Sequence, residues 1–306
     1  MRLLIAGWRG QLARALVEAA PACADVEAFA VGRPALDLKN PGTVARAIAD
    51  VRPDVIINSA AYTAVDQAER EPDAARMLNC EGARVLAEMA TRCSAAIIHI
   101  STDYVFDGSS GSRYVETDAT APVNVYGRSK LEGEAAVRAC NPRHLIVRTS
   151  WVHSPFGQNF VKSMLRLAGE RAELRVVDDQ IGSPTYAPHL AEAVLNMARR
   201  VSRAGAQEGI WGTYHAAGSG AVSWCGLARE VCRVSASLGG PSAPVVAITT
   251  ADYPTAARRP ANSRLDCSKL EHAFGLRLPD WHIGVAECVR RLLGEQRMSK
   301  SPDTTT

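Results

Sequence analysis

The stretch MRLLIAGWRGQLARALVEAA, residues 1–20, decides the fold. Arg2–Ala6 is a short apolar run that stops at Gly7. Gln11–Ala20 then places Leu12, Ala15, Leu16 and Ala19 on one face of a helix. Strand, glycine turn and helix follow one another without a break. Gly7 permits the tight turn, Gly10 lets backbone approach a pyrophosphate, and Ala13 is small enough for the helix to pack on a sheet. The helix N-terminus offers free N–H groups and a partial positive charge to phosphates. The spacing is Gly-x-x-Gly-x-x-Ala rather than the commoner Gly-x-Gly-x-x-Gly. An ordinary strand-to-helix turn is the competing reading, and the strand-turn-helix context favours a dinucleotide.

Working outward, the same alternation repeats. Val26–Val31, Asp54–Asn58, Ala96–Ser101 and His144–Thr149 read as strands. Thr43–Asp50, Asp73–Arg92 and Ser129–Ala139 read as helices. Strands this apolar belong to a parallel sheet buried on both faces, and right-handed crossovers make it doubly wound. After residue 150 the periodicity weakens. Helices are expected over Asn159–Ala168, Pro188–Arg200, Ser223–Ser235 and Ile283–Leu293, with strands and loops over Val176–Thr185 and Gly209–Gly220. The expected fold class is α/β: a Rossmann-type doubly wound parallel sheet with a smaller interleaved α/β substrate lobe. Residues 1–150, about 186–220 and 281–296 are assigned to the cofactor domain. About 151–185 and 221–280 form the substrate lobe, and 297–306 a flexible tail.

Composition narrows the function classes. The chain has 306 residues, 47% of them hydrophobic, and a formal charge of +3. It carries no basic stripe, so no nucleic acid is expected as a partner. The eight cysteines include no Cys-x-x-Cys pair, so neither a zinc site nor a small disulfide framework is expected. No apolar run reaches the roughly 18 residues of a membrane helix. The N-terminus lacks the pattern of a signal peptide. A cytoplasmic location, with no membrane partner, is the expectation, and a homodimer is left open.

Val31-Gly-Arg33-Pro ends the second strand without the acid that NAD binders place there for the ribose 2′-hydroxyl. Arg33 suits a 2′-phosphate instead, so NADPH is favoured and NADH kept open. Tyr126-Gly-Arg-Ser-Lys130 sets a phenol and an ammonium on one helical face. A nearby ammonium is expected to lower the phenol pKa toward neutrality, as carbonyl reduction requires: hydride to carbon, proton to oxygen. Ser101-Thr102 ends the fourth strand, where ligands of parallel sheets bind, and Thr102 can donate to the same oxygen. A capping hydroxyl is its alternative.

These motifs, with Ala60-Ala61-Tyr62 after the third strand, resemble the extended short-chain dehydrogenase/reductase superfamily. The longer strings AAYTAVDQAE (60–69), STDYVFDG (101–108), RTSWV (148–152), DDQIGSPT (178–185) and RRPANSRL (258–265) resemble the dTDP-4-dehydrorhamnose reductase family. The resemblance implies an oxidoreductase of nucleotide-sugar and cell-surface polysaccharide biosynthesis. Its partner would be a dTDP-linked 4-keto-6-deoxy sugar, reduced at C4 with NADPH to dTDP-L-rhamnose. It implies that Tyr126 donates the proton, Lys130 lowers its pKa and holds the nicotinamide ribose, and Thr102 orients the keto oxygen. Gly7, Gly10, Gln11 and Leu12 would meet the pyrophosphate, and Asp37 and Leu38 would flank the adenine. Ala60, Ala61 and Tyr62 would line the cofactor cleft. Tyr104, Trp151 and Asn159 would contact the sugar or its diphosphate.

Arg259 is an added candidate for the diphosphate, since such groups want arginine forks. Plainer readings stand beside these: Trp151 as core, Asp37 as a turn acid, Arg259 as a surface residue. Some relatives hold a divalent cation between glutamates at a dimer contact. Ala15 occupies the corresponding helix here, so no metal is expected. Two other readings share the scaffold: another nucleotide-sugar reductase or epimerase, and a non-catalytic regulatory subunit, as the beta subunit of methionine adenosyltransferase resembles this family. The intact Thr102, Tyr126 and Lys130 argue against the last.

Overall fold

Leu3, Leu4, Ile5 and Ala6 have no exposed surface, so β1 (Arg2–Ala6) must be covered on both faces. The structure, a computed structural model, describes residues 1–300, with side chains to residue 295. After β1 come α1 (Gln11–Ala19), β2 (Glu27–Val31), α2 (Pro41–Val51), β3 (Val55–Asn58), α3 (Val65–Ala68), α4 (Pro72–Arg76), α5 (Gly82–Arg92), β4 (Ala96–Thr102), α6 (Val125–Cys140) and β5 (His144–Thr149). The second half holds β6 (Val152–His153), α7 (Phe160–Glu170), β7 (Leu174–Val177), β8 (Ile181–Gly182), β9 (Thr185–Tyr186), α8 (Ala187–Val201), β10 (Gly212–His215), β11 (Val222–Ser223), α9 (Trp224–Ser237), β12 (Val245–Ile248), α10 (Ser268–Phe274) and α11 (Trp281–Lys300).

Six parallel strands form the main sheet in the order β10-β5-β4-β3-β1-β2. Leu3 and Ile5 face a core shared with α1 and α8, while Leu4 and Ala6 face one shared with α2 and α5. The strand order reverses between β1 and β3, which opens a crevice beyond their carboxyl ends. A second core lies among α7, α9, α11 and β7. No described helix is long and apolar enough to cross a membrane.

Several expectations need correction. Residues 281–296 were expected with the cofactor domain. Val285, Cys288, Val289, Leu292 and Leu293 of α11 instead form a stripe buried in the second core. The helix expected from Ser129 starts at Val125, because the Asn124 side chain accepts from Gly127 N at 2.7 Å and caps it. Tyr126 therefore lies in the first turn. The helix expected over 73–92 is interrupted by a π turn at Met77–Glu81. α3, α10 and β12 were not anticipated: the first two are short, and β12 is a strand only because it pairs with the distant β7. The tail expected from 297 begins inside α11, and 301–306 lie outside the described residues.

Candidate active site

The crevice begins at the glycine turn. Gly7 adopts φ 101°, a conformation that strains any side chain, and a Cβ there would sit 3.4 Å from Ser59 Oγ. Gly10 precedes α1 and no side chain caps that helix, so its first N–H groups stay available for an anion. A cavity of about 840 Å³ follows, lined by Gly7, Gly10, Arg33, Asp37, Leu38, Ala60, Ala61 and Tyr62. A second of about 600 Å³ shares Gly10 and Ala61 with it and adds Gln11, Leu12, Thr102, Tyr126, Lys130, Trp151 and Asn159. The glycine cradle, the free helix N-terminus and a continuous cleft of this size fit a dinucleotide. Arg33 is exposed at the rim of the first cavity, where a 2′-phosphate can reach it. Asp37 lines the same cavity and also accepts from Lys39 N at 3.0 Å, a turn contact.

β4 and α6 bring the chemical groups together. Thr102 ends β4; its hydroxyl donates to Asp103 Oδ1 at 3.0 Å and accepts from Tyr104 N at 3.2 Å. Thr102 and Tyr126 line the same cleft, and the Thr102 hydroxyl favours the Tyr126 phenolate. Lys130 Nζ donates to Ile100 O at 2.7 Å and lies 3.3 Å from His99 Nε2. The expected acidification of the phenol is not found. Burial pushes Tyr126 up to about 12 and outweighs the favourable contact from Thr102. Burial also brings Lys130 down to about 8, against the attraction of Glu134. Both shifts have one cause: a charge surrounded by protein loses its water. The ammonium is engaged with Ile100 and His99 and does not counteract the cost of a buried phenolate.

Two expected substrate contacts are otherwise engaged. Asn159 caps α7 by accepting from Lys162 N at 3.2 Å, and its amide donates to Gln11 Oε1 at 3.0 Å and Ser154 O at 2.7 Å. It lines the cleft while its polar atoms tie α7 to the start of α1. Arg259 lines neither cavity. Its fork grips Asp66, with the closest approach 2.6 Å, and so clamps the 255–259 loop to the segment after β3. Tyr104 also lies outside both linings; its ring meets Tyr126 edge-on at 6.0 Å. Trp151 does line the cleft. It adopts φ 47°, and its indole is stacked 3.4 Å from Trp224, with Gly182 so close that a Cβ there would fall 2.4 Å from the ring. Trp224 and Gly182 thus hold it as a rigid wall.

The sequence reading missed three participants. Asp103, quoted in a motif but given no role, lines the cleft; it is buried with Oδ2 unpartnered, and desolvation raises it to about 7. His99 and Trp224 carry no motif at all. Only the alternation of β4 could have marked His99, as a polar residue in a buried strand.

Comparison with known proteins follows the same lines. A family model described as RmlD substrate binding domain matches residues 1–293. A dTDP-4-dehydrorhamnose reductase of Sinorhizobium fredii is 50% identical over 295 residues, covering 96% of this chain and 99% of that protein. The crystal structure of a dTDP-4-dehydrorhamnose reductase from Clostridium acetobutylicum superposes with a TM-score of 0.88 at 36% identity, covering 96% of this chain and all of that one. A Bacillus anthracis dTDP-4-dehydrorhamnose reductase solved in complex with NADP gives 0.86 at 36% identity, covering 95% and 99%.

Proposed function

The chain belongs to the RmlD substrate-binding-domain family, whose curated members at 43–50% identity are dTDP-4-dehydrorhamnose reductases, and on that premise we propose that it reduces the 4-keto group of dTDP-4-dehydro-L-rhamnose to dTDP-L-rhamnose. The observation that carries this reading is the meeting of Thr102, Tyr126 and Lys130 in a cleft continuous with the glycine turn. NADPH supplies the hydride when bound. Gly7, Gly10 and the N-terminus of α1 would hold its pyrophosphate, and Arg33 its 2′-phosphate. Lys130 would hold the nicotinamide ribose.

This chain's part is to polarise the carbonyl and deliver one proton. Thr102 and Tyr126 present two hydroxyls to one oxygen, and Trp151 walls the sugar. A phenol near 12 is protonated at neutral pH. Reduction leaves an alkoxide, a far stronger base than phenolate, so the proton passes from Tyr126 downhill. The acidic phenol inferred from sequence is not needed for this direction. The eight cysteines are free, in keeping with a reducing, cytoplasmic setting.

The test is direct: supply NADPH and the 4-keto sugar, follow loss of NADPH absorbance and identify the product. Formation of dTDP-L-rhamnose is expected; intact NADPH after prolonged incubation would remove the reading.

A further inference from the structure

Beneath the cleft, Lys130 continues a buried row with two polar side chains that the reaction scheme does not use, Asn58 and His99. Asn58 at the end of β3, His99 in β4 and Lys130 on α6 are exposed by 1%, 0% and 2%. Asn58 Nδ2 lies 3.0 Å from His99 Nδ1, and Lys130 Nζ lies 3.3 Å from His99 Nε2. Asn58 Oδ1 has no partner. Proton counting decides how the row is wired. If the Asn58 amide donates to Nδ1, a neutral imidazole carries its proton on Nε2 and points it at the ammonium, donor against donor. Turning the amide end for end removes the clash. His99 Nδ1–H then donates to Asn58 Oδ1, and bare Nε2 accepts from Lys130. Desolvation holds the imidazole well below its ordinary pKa, aided by the positive charges of Lys130 and Arg138, so the ring is neutral.

We propose that His99, anchored by Asn58, is the positioning residue for Lys130: Nε2 and Ile100 O each take one N–H of the ammonium and leave the third for the cleft. The inference rests on Lys130 serving NADPH as set out above. A lysine stem has four rotatable bonds, and two fixed acceptors on one strand confine its head to one place. Packing keeps the imidazole from swinging. Gly133 lies over it, where a Cβ would fall 3.6 Å from Nε2 and 2.1 Å from Asn79 O. The charged groups acting on the row are Glu134, which favours the ammonium from the same helix, and Arg138, which disfavours a charged His99.

The first test uses the unaltered protein without ligand. Nitrogen-15 NMR of histidine at neutral pH should find His99 protonated at Nδ1 and bare at Nε2; a proton on Nε2 beside a charged Lys130 overturns the proposal. The second is kinetic. His99→Leu should raise KM for NADPH on the order of tenfold, the worth of a hydrogen bond to a charged group. It should also move the alkaline limb of kcat/KM to lower pH. His99→Gln, whose amide reaches the Nε2 position, should restore most of both. Equal impairment of the two variants, or none in His99→Leu while Lys130→Met is impaired, overturns the proposal alone. If Lys130→Met keeps the parent KM for NADPH, the reading beneath it falls too.

Discussion

Lys130 and Glu134 stand one turn apart on α6, both buried, and meet the cost of a buried charge in opposite ways. Glu134 is fully enclosed. Arg148 grips both of its oxygens at 2.9 and 2.8 Å, Ser101 donates to it at 2.6 Å, and Arg138 approaches at 3.5 Å. Lys130 has one carbonyl, one imidazole and a wall of the cleft. A charge surrounded by partners holds elements together, here α6, β4 and β5. A charge left one acceptor short is costly in the free protein and therefore receptive to a ligand. The same contrast separates Arg259, bound to Asp66, from Arg33, exposed at the cavity rim.

If the contrast is sound, function and stability should fail separately. The largest effect falls on the cleft side. Tyr126→Phe should lower kcat by about 10²–10⁴-fold with the melting temperature unchanged, since only a proton donor is lost; near-normal turnover would assign the proton to another group. On the enclosed side, Arg148→Met leaves Glu134 charged and poorly paired and should cost about 3–5 kcal/mol in urea unfolding. A loss of activity without a loss of stability in that variant would break the comparison.

Asp103 tests the cleft side by pH. Its native pKa of about 7 lies above its unfolded value near 3.8, so its stabilisation is complete below 3.8 and is lost as pH rises through 7. Asp103→Asn should therefore match the parent protein near pH 4 and exceed its stability by up to about 3–4 kcal/mol at pH 8. A gap independent of pH would mean the carboxyl is ionised throughout. Lys130, brought down to about 8, loses its charge above that pH, so kcat/KM should fall there by about tenfold per unit. The smallest effect is expected at exposed Arg33: Arg33→Ala should shrink the preference for NADPH over NADH by a few fold, to be read from the two KM values.

The cofactor half was readable because its signals are local. β1, β3, β4 and β5 each contain an unbroken run of three or more apolar residues, and Gly7 and Gly10 mark the turn without help from distant residues. In the second half the strands are two to four residues long and exist by pairing. β12 is held by β7, and β8 by β11, and neither partner is near in sequence. The site divides the same way. Thr102, Tyr126 and Lys130 stood out through motif and spacing. Trp224 at the start of α9 supports Trp151 from across the sequence, and Asn159 and Arg259 carry types suited to a ligand yet spend their donors on protein.

The parallel sheet, the glycine turn and the identity of the groups lining its mouth could be read along the chain, because apolar runs and glycine placement act over a few residues. Only the tertiary structure decided their electrostatic state. Burial, set by the packing of whole elements, raised the Tyr126 phenol and lowered the Lys130 amine, and placed His99 and Asn58 beneath that amine. Desolvation depends on everything that surrounds a charge, and no spacing along the chain encodes it.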